Sequence, residues 1–368
     1  MIVLKAPQSD LLAALQAVAG IVERRHTLPV LANVLLRKQG EAIELTTSDL
    51  ELQVRTSANL GGDAGTFSTT VGARKLIDIL KSLPADQMVS LTAQGSKLTL
   101  QSGKSRFTLQ TLPAEDFPLV SEAVDFGPDI VIPQKTLKQL INQVHIAMAV
   151  HDIRYYLNGI LFVADGRQLT LVATDGSRLA LARSELEHEV PRQEVILPRK
   201  TVLELMRLLT ADEGDLTLRF AANQAKFSFS GLEFVTKLVE GKYPDYNRVI
   251  PKHNTNEIRL GRQPLLASLQ RAAILTSDKF KGVRMAVEPG SLRIVASNAE
   301  QEEAKEELDI DYGGPAIEIG FNVSYLTDAL ANMAGDMVDL ALGDGASAAL
   351  FTLPEDAGFK YVVMPMRI

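Results

Sequence analysis

The sequence predicts an α+β fold built from three tandem copies of one domain of roughly 120 residues. The chain has 368 residues, too long for one ordinary domain and enough for two or three. One order of helical and alternating segments recurs three times with its register kept. At 46% hydrophobic and 23% charged residues, each copy has the means to build its own core.

Each third opens on a helical stretch: "PQSDLLAALQAVAG", "PQKTLKQLINQVHIAMA" and "RQPLLASLQRAAILTS". Apolar residues recur there at helical spacing, as in Leu11, Leu12, Leu15 and Val18, or Leu137, Leu140, Ile141 and Val144. Two short strands around a polar turn come next: "NVLLRKQGEAIELTTSDLELQV", "NGILFVADGRQLTLVATDGSRLALA" and "GVRMAVEPGSLRIVASNAEQEEA". A strand then leads into a second helix: "TTVGARKLIDILKSL", "VILPRKTVLELMRLL" and "IEIGFNVSYLTDALANM". Antiparallel strands such as "KLTLQSGKSRFTLQTL", "DLTLRFAANQAKFSFSG" and "VDLALGDGASAALFTL" follow. Each third closes on an aromatic or methionine before proline: Phe117-Pro118, Tyr243-Pro244 and Met364-Pro365. Asp49, Asp175 and Asn298 fall at one turn of the repeat, and Lys75, Lys200 and Ser324 at the start of its second helix. The expected domains are 1–126, 127–251 and 252–368.

Composition narrows the function. Without cysteine there is no disulfide and no thiolate metal site, and a cytoplasmic location is expected. The first twenty residues lack the order of a signal peptide, and no run approaches the ~20 apolar residues of a membrane span. No membrane association and no cofactor are expected. The net charge of −7 is uneven, since the thirds carry −1, 0 and −6. Much of the acid excess lies in "NAEQEEAKEELDID", 298–311.

Catalytic signatures are lacking. There is no GxxxxGK[ST] loop, no HExxH and no GxSxG elbow, and the five histidines have no metal-ligand spacing. A nuclease using Asp49 and Asp175 is the enzyme alternative. Repeat equivalence reads the two instead as one turn aspartate used twice, with Asn298 as its third counterpart. No catalytic or metal-binding residue is expected. Basic residues cluster after the first helices (Arg24, Arg25, His151, Arg154, Lys279, Lys281) and at the heads of the second (Arg74, Lys75, Arg199, Lys200). Helices sharing one side would make that side basic in an acidic molecule, a pattern suited to sequence-independent DNA contact. A protein-binding scaffold without DNA is the other alternative.

The stretches "RRHTLPVLANVLL", "SDLEL", "ARKLIDILKSLP", "GKSRFTLQTLPAEDFP", "DIRYYLNGILF", "ATDGSRLA", "PRKTVLELMRLL", "VTKLVEGKYPDYNRVIP", "RAAILTSDKFKGVR", "EQEEA", "EIGFNVSYL" and "YVVMPMRI" span almost the whole chain. With them the sequence resembles the bacterial DNA sliding clamps, the beta subunits of the DNA polymerase III holoenzyme. The resemblance implies a DNA clamp fold and a non-catalytic processivity factor. Two three-domain subunits would join head to tail as a homodimeric ring around double-stranded DNA, opened by a separate loader. Partners would be the polymerase alpha subunit, the clamp loader, and other polymerases and repair proteins, engaged through short linear peptides.

Carried to matching positions, the DNA-facing residues are Arg25, His151, Arg154, Arg199 and Lys200. The dimer interface sets Lys75, Ile79, Lys104, Arg106, Phe107 and Leu109 against Ile274, Leu275, Glu300, Glu302, Glu303 and Glu306. The peptide pocket takes Leu157, Thr174, Gly176, Arg178, Leu179, Pro244, Arg248, Val249, Asn322, Tyr325, Val362, Val363, Met364, Pro365, Met366 and Arg367. Leu179, Val249 and Val362 are expected to form its deeper subsite, with Leu157 and Met364 beside it. The chain departs from the family at His151, often glutamine, and at Ser177, histidine in many relatives. Ala346 and Ala348 also stand where larger or polar residues are expected, which implies a slightly wider pocket.

Overall fold

The computed structural model describes residues 1–24, 27–210 and 214–368. Arg25 therefore lies outside the described residues. The chain order among them repeats three times with variations. The first copy runs β1 (Ile2–Pro7), α1 (Gln8–Val18), β2 (Asn33–Gln39), β3 (Ala42–Ser48), β4 (Leu52–Asn59), β5 (Thr66–Gly72), α2 (Ala73–Ser82), β6 (Met88–Gln94), β7 (Lys97–Ser102) and β8 (Ser105–Leu112). The second runs β9 (Ile130–Pro133), α3 (Gln134–Val144), β10 (Gly159–Thr174), β11 (Arg178–Pro198), α4 (Arg199–Leu208), β12 (Asp215–Phe220), β13 (Gln224–Phe229) and β14 (Leu232–Lys237). The third runs β15 (Asn256–Gly261), α5 (Arg262–Ala273), β16 (Gly282–Glu288), β17 (Ser291–Ser297), β18 (Glu303–Asp309), β19 (Ile317–Asn322), α6 (Val323–Asn332), β20 (Met337–Leu342), β21 (Ala349–Leu353) and β22 (Asp356–Val363).

Each copy thus has the two expected helices, and all its strand pairs are antiparallel. In the second copy, the four strands between the helices are fused into two long ones, β10 and β11. The fusion bends at Gly166, whose φ of +58° lies in the left-handed region that glycine enters without a Cβ penalty. Helices bury the stripes that their spacing announced: Leu11, Leu15 and Val18 on α1, Leu76 and Leu80 on α2, Leu265, Leu269 and Ala272 on α5.

The hydrogen-bonded sheets divide the chain differently from the repeats. One compact unit comprises Met1–Lys135 and Leu203–Leu238. It holds a 12-stranded sheet, ordered β1-β6-β7-β8-β5-β2-β3-β4-β14-β13-β12-β9. The other unit comprises Thr136–Val202 and Val239–Ile368. It holds a 6-stranded sheet, β10-β11-β22-β21-β20-β15, and a 4-stranded sheet, β18-β17-β16-β19. The second repeat is split because β14 pairs with β4 of the first copy, while β11 pairs with β22 of the third.

An ion pair marks the first of these seams. Glu233 and Arg55 lie directly opposite across β14 and β4, and Arg55 Nε donates to Glu233 at 2.9 Å. Lys226 adds a second cation at 3.4 Å. Partial burial pushes the Glu233 carboxyl up, but Arg55 and Lys226 together outweigh it and hold it below the ordinary carboxylate range. A carboxyl lowered on folding stabilises above its unfolded pKa, and that stability is lost as pH falls through its folded value. Glu233→Gln is therefore expected to flatten the fall in melting temperature between about pH 5 and pH 3. Parallel wild-type and variant melting curves over that range would count against the pair.

Candidate functional site

Two of the three matched turns, at Asp49 and Asp175, share one geometry, and the Asn298 turn is one residue wider. Asp49 Oδ1 accepts from the N–H groups of Glu51 and Leu52 at 2.9 and 2.8 Å. Asp175 Oδ1 accepts from Ser177 and Arg178 at 2.9 and 3.1 Å, and Asn298 Oδ1 from Glu302 at 2.9 Å. These are turn-closing acceptors. Among the described residues no group of three or more His, Asp or Glu side chains could hold a metal ion.

The Asp175 turn forms one wall of the region where the resemblance places its pocket. The turn Asp175–Gly176 needs a φ of +92° at Gly176, and Thr174 Oγ1 closes it by donating to Arg178 O at 2.6 Å. From there β11 pairs with β22, Arg178 opposite Val363 and Leu179 opposite Val362. The ladder runs one bond further, from Met364 N–H to Ser177 O at 2.9 Å. A second bond, from Met366 N–H to Gly320 O at 2.8 Å, ties the closing segment to β19.

The expected deep subsite is resolved into two parts. Leu157, Leu179 and Val362 belong to the core, at 2%, 1% and 0% exposure. Tyr156, Tyr246, Ile250, Ala348 and Leu350 pack against the same cluster. Val363 is buried as well, so it is no open wall. Val249 and Met364 instead stand exposed, at 43% and 44%. The reason is the ladder: Leu179 and Val362 are held in register inside the sheet, and Met364 lies beyond its last pair. Gly176, Pro244, Arg248 and Arg367 are also exposed, while Thr174, Asn322, Tyr325, Pro365 and Met366 are half-buried. Ala348 packs against the core cluster, whereas Ala346 is an exposed turn residue bonded to Asp344.

The repeat closures show the same break. Phe117 and Tyr243 are buried in their clusters, and Met364 is not.

Arg178 is more than a rim residue. Its guanidinium reaches Asp175 at 3.1 Å and Asp328 at 2.9 Å, and it stacks 4.4 Å from the Tyr325 ring centre. Burial disfavours its charge, but Tyr361, Asp328 and Asp175 outweigh that and raise its pKa. Tyr361 donates to Tyr325 O at 2.7 Å, and burial pushes its phenol up. This network joins the Asp175 turn to α6. Asp328 and Tyr361 were not singled out in the sequence, and their only signal was helical or strand spacing.

Two of the strand edges left unpaired among the described residues carry opposite charge. Residues Ser105–Gln110 of β8 pair only with β7, since β8 meets β5 only at Thr111 and Leu112. Lys104 and Arg106 are exposed there, with Phe107 and Leu109 half-buried on the alternate positions. Lys75 is exposed and Ile79 half-buried on α2. In the other unit β18 is the outermost strand of its sheet. Glu300, Glu302 and Glu303 are exposed beside it, with Leu275 half-buried and Ile274 76% exposed. Glu306 is already held inside its own unit: Arg271 donates to it at 2.6 and 2.9 Å and lowers its pKa. Glu302 takes a bond from Asn298, and Lys305 lies 3.5 Å from Glu303.

The basic positions also sort themselves. His151 is exposed at a φ of +54°, and Lys200 is exposed at the head of α4. Arg199 is half-buried, its N–H bonded to Asn158 O. Arg154 is exposed but already has partners. It is paired with Asp152 at 2.8 Å, donates to Asp175 O at 3.2 Å and lies against Gly176, on the pocket rim. That pairing lowers the Asp152 carboxyl to about 2. In the first unit a groove of about 1040 Å³ is lined by Arg24, Arg74, Lys75, Lys81 and Arg207. Two of these cations cap backbone: Arg207 donates to Gln16 O and Ala17 O, and Arg74 to Val22 O.

Comparison with known proteins converges on one class. Models of the N-terminal, central and C-terminal domains of the DNA polymerase III beta subunit match residues 4–121, 131–245 and 247–367. A Pseudomonas putida beta sliding clamp is 46% identical over 363 residues, 97% of this chain and 98% of the relative. The Escherichia coli beta sliding clamp is 41% identical, covering 98% of each chain. A crystal structure of the Pseudomonas aeruginosa beta subunit superposes with a TM-score of 0.95 at 43% identity, covering 99% of this chain and 100% of that one. A second, bound to griselimycin, matches with the same score over 99% of both. Three tandem two-helix domains with antiparallel sheets define a sliding clamp, a polymerase accessory subunit that performs no catalysis itself. The chain belongs to the DNA polymerase III beta subunit family and serves DNA replication as a processivity factor. None of its described helices is long and apolar enough to cross a membrane.

Proposed function

We propose that two copies of this chain close head to tail into a ring around duplex DNA in the cytoplasm, with repeats bounded at 1–126, 127–251 and 252–368. One observation carries the reading. The open edge of β8 is basic and the open edge of β18 is acidic, each beside exposed or half-buried apolar residues. An unpaired strand edge is a template for another strand. Opposite charge selects the partner edge, and the apolar centre supplies most of the affinity. Ile274 and Leu275 of one copy meet Ile79, Phe107 and Leu109 of the other, within a rim of Lys75, Lys104 and Arg106 against Glu300, Glu302 and Glu303. Glu306, already neutralised by Arg271, orients the strand rather than adding a free charge.

His151, Arg199, Lys200 and Arg25 touch DNA phosphates without reading sequence. Mobile phosphate contacts allow sliding, whereas base contacts would pin the ring. Arg154 acts at the pocket rim. That pocket, around Val249, Met364 and the Arg178 network, receives short peptides of the polymerase alpha subunit, the clamp loader, other polymerases and repair proteins. It also receives griselimycin, which a Pseudomonas aeruginosa relative binds. The apolar side chain of an incoming peptide first meets Val249 and Met364, and then reaches Leu179 and Val362 by displacing what covers them.

The test is retention on DNA. Protein loaded on nicked circular DNA is expected to stay bound and to run off once the circle is linearised. Equal retention on both forms, or on neither, rejects the ring.

A further inference from the structure

The closing segment Met364–Ile368 rests in a notch on the 4-stranded sheet. Ile317, Ile319 and Phe321 of β19 face the core, so Glu318, Gly320 and Asn322 share the opposite face. Gly282 of β16 lies on that face too, opposite Asn322 and diagonal to Gly320. A β-carbon on Gly320 would stand 2.5 Å from Met366 O and 2.7 Å from Ile368 Cδ1. One on Gly282 would stand 3.0 Å from the Phe280 ring and 3.2 Å from the same Cδ1. Real β-carbons do not approach as closely as at Gly320, the Gly282 contacts are tight, and glycine inside a strand marks such a close approach. Two neighbouring glycines thus leave a hollow, and the tip of the Ile368 side chain enters it while 45% of the residue stays exposed.

The segment is fixed on both sides of Pro365. Before it, Met364 N–H is bonded to Ser177 O in the 6-stranded sheet; after it, Met366 N–H is bonded to Gly320 O in the 4-stranded one. Met364 is exposed between these anchors and lies outside the buried core cluster.

We propose that the Gly282–Gly320 notch is a positioning site for the peptide pocket: seating Ile368 in it holds Met364 and Pro365 where a peptide's apolar anchor meets them. The proposal rests on the pocket reading above. Holding a binding surface in its bound form spares the entropy of ordering it, and re-ordering one or two side chains costs about tenfold in affinity. Neither glycine touches the ligand; both act through Ile368.

Gly320→Ala and Ile368→Ala test this with griselimycin as probe. Titration calorimetry reads affinity, and the ¹³C-labelled Ile368 δ1 methyl, assigned by its loss in Ile368→Val, reads seating in Gly320→Ala. Gly320→Ala is expected to move that methyl to its random-coil position and to weaken griselimycin about tenfold, with dimer mass unchanged. Ile368→Ala, which leaves β19 untouched and so carries the test if Gly320→Ala misfolds, is expected to weaken it similarly. Ile368→Val is expected to bind as wild type. A methyl that keeps its shift in Gly320→Ala overturns the proposal. So does unchanged griselimycin affinity in Ile368→Ala; if Met364→Ala still weakens binding, the pocket reading survives. If Met364→Ala also leaves affinity unchanged, the pocket reading falls and the proposal with it.

Discussion

Replacing Ile274 with aspartate is expected to turn the proposed dimer into monomers at micromolar concentration. Ile274 is the C-cap residue of α5 and is 76% exposed, although it is a β-branched apolar residue. Beside it lie half-buried Leu275 and the open acidic edge of β18. In the proposed ring it enters the apolar centre of each interface, where a few residues carry most of the binding energy. Truncation of such a residue costs about 2–4 kcal/mol, or about 30- to 700-fold in dissociation constant. An aspartate adds the cost of burying a charge and lies among carboxylates that repel it. Ile153→Asp is the control, because Ile153 is 96% exposed but belongs to the His151 loop and to neither edge strand. Sedimentation of both variants across a concentration series decides the matter. A dimeric Ile274→Asp, or an equally dissociated Ile153→Asp, would remove the argument from the sheet edges.

Removing residues 364–368 is expected to abolish griselimycin binding, and Met364→Ala to weaken it about tenfold, with the dimer intact in both. Met364 is exposed where its repeat counterparts Phe117 and Tyr243 are buried. Its unbranched thioether repacks at low cost, which suits a surface that meets many sequences. The floor behind it is already packed by Leu157, Leu179 and Val362, so the truncation leaves the core cluster whole. Calorimetry measures the affinity and size exclusion the dimer. Full-strength binding by the deletion variant would place the griselimycin site elsewhere.

The proposed pocket was legible in part. The family resemblance named Thr174, Gly176, Arg178, Tyr325 and Met364 as neighbours, and they gather around the Asp175 turn. It did not separate wall from floor. Leu179 and Val249 look alike as apolar residues near the ends of their segments, yet one is 1% and the other 43% exposed. Arg154 looked like a DNA cation because it is basic and follows a first helix. Asp152, two residues away, takes its charge, a pairing that helix-level charge counting does not see.

The sequence by itself determined the local elements and their threefold order. Helical spacing, strand alternation and turn chemistry act over a few residues, so Asp49, Asp175 and Asn298 could be matched without a structure. Only the tertiary structure decided how the strands were shared out. The pairings of β14 with β4 and of β11 with β22 join residues from different repeats, and they assign the two halves of the second repeat to different units. The same long-range ladder decided that Val362 is core and Met364 surface, because its last residue pair is Arg178 with Val363. Burial is set by which strands meet, and that choice depends on packing over the whole chain rather than on the period of any one segment.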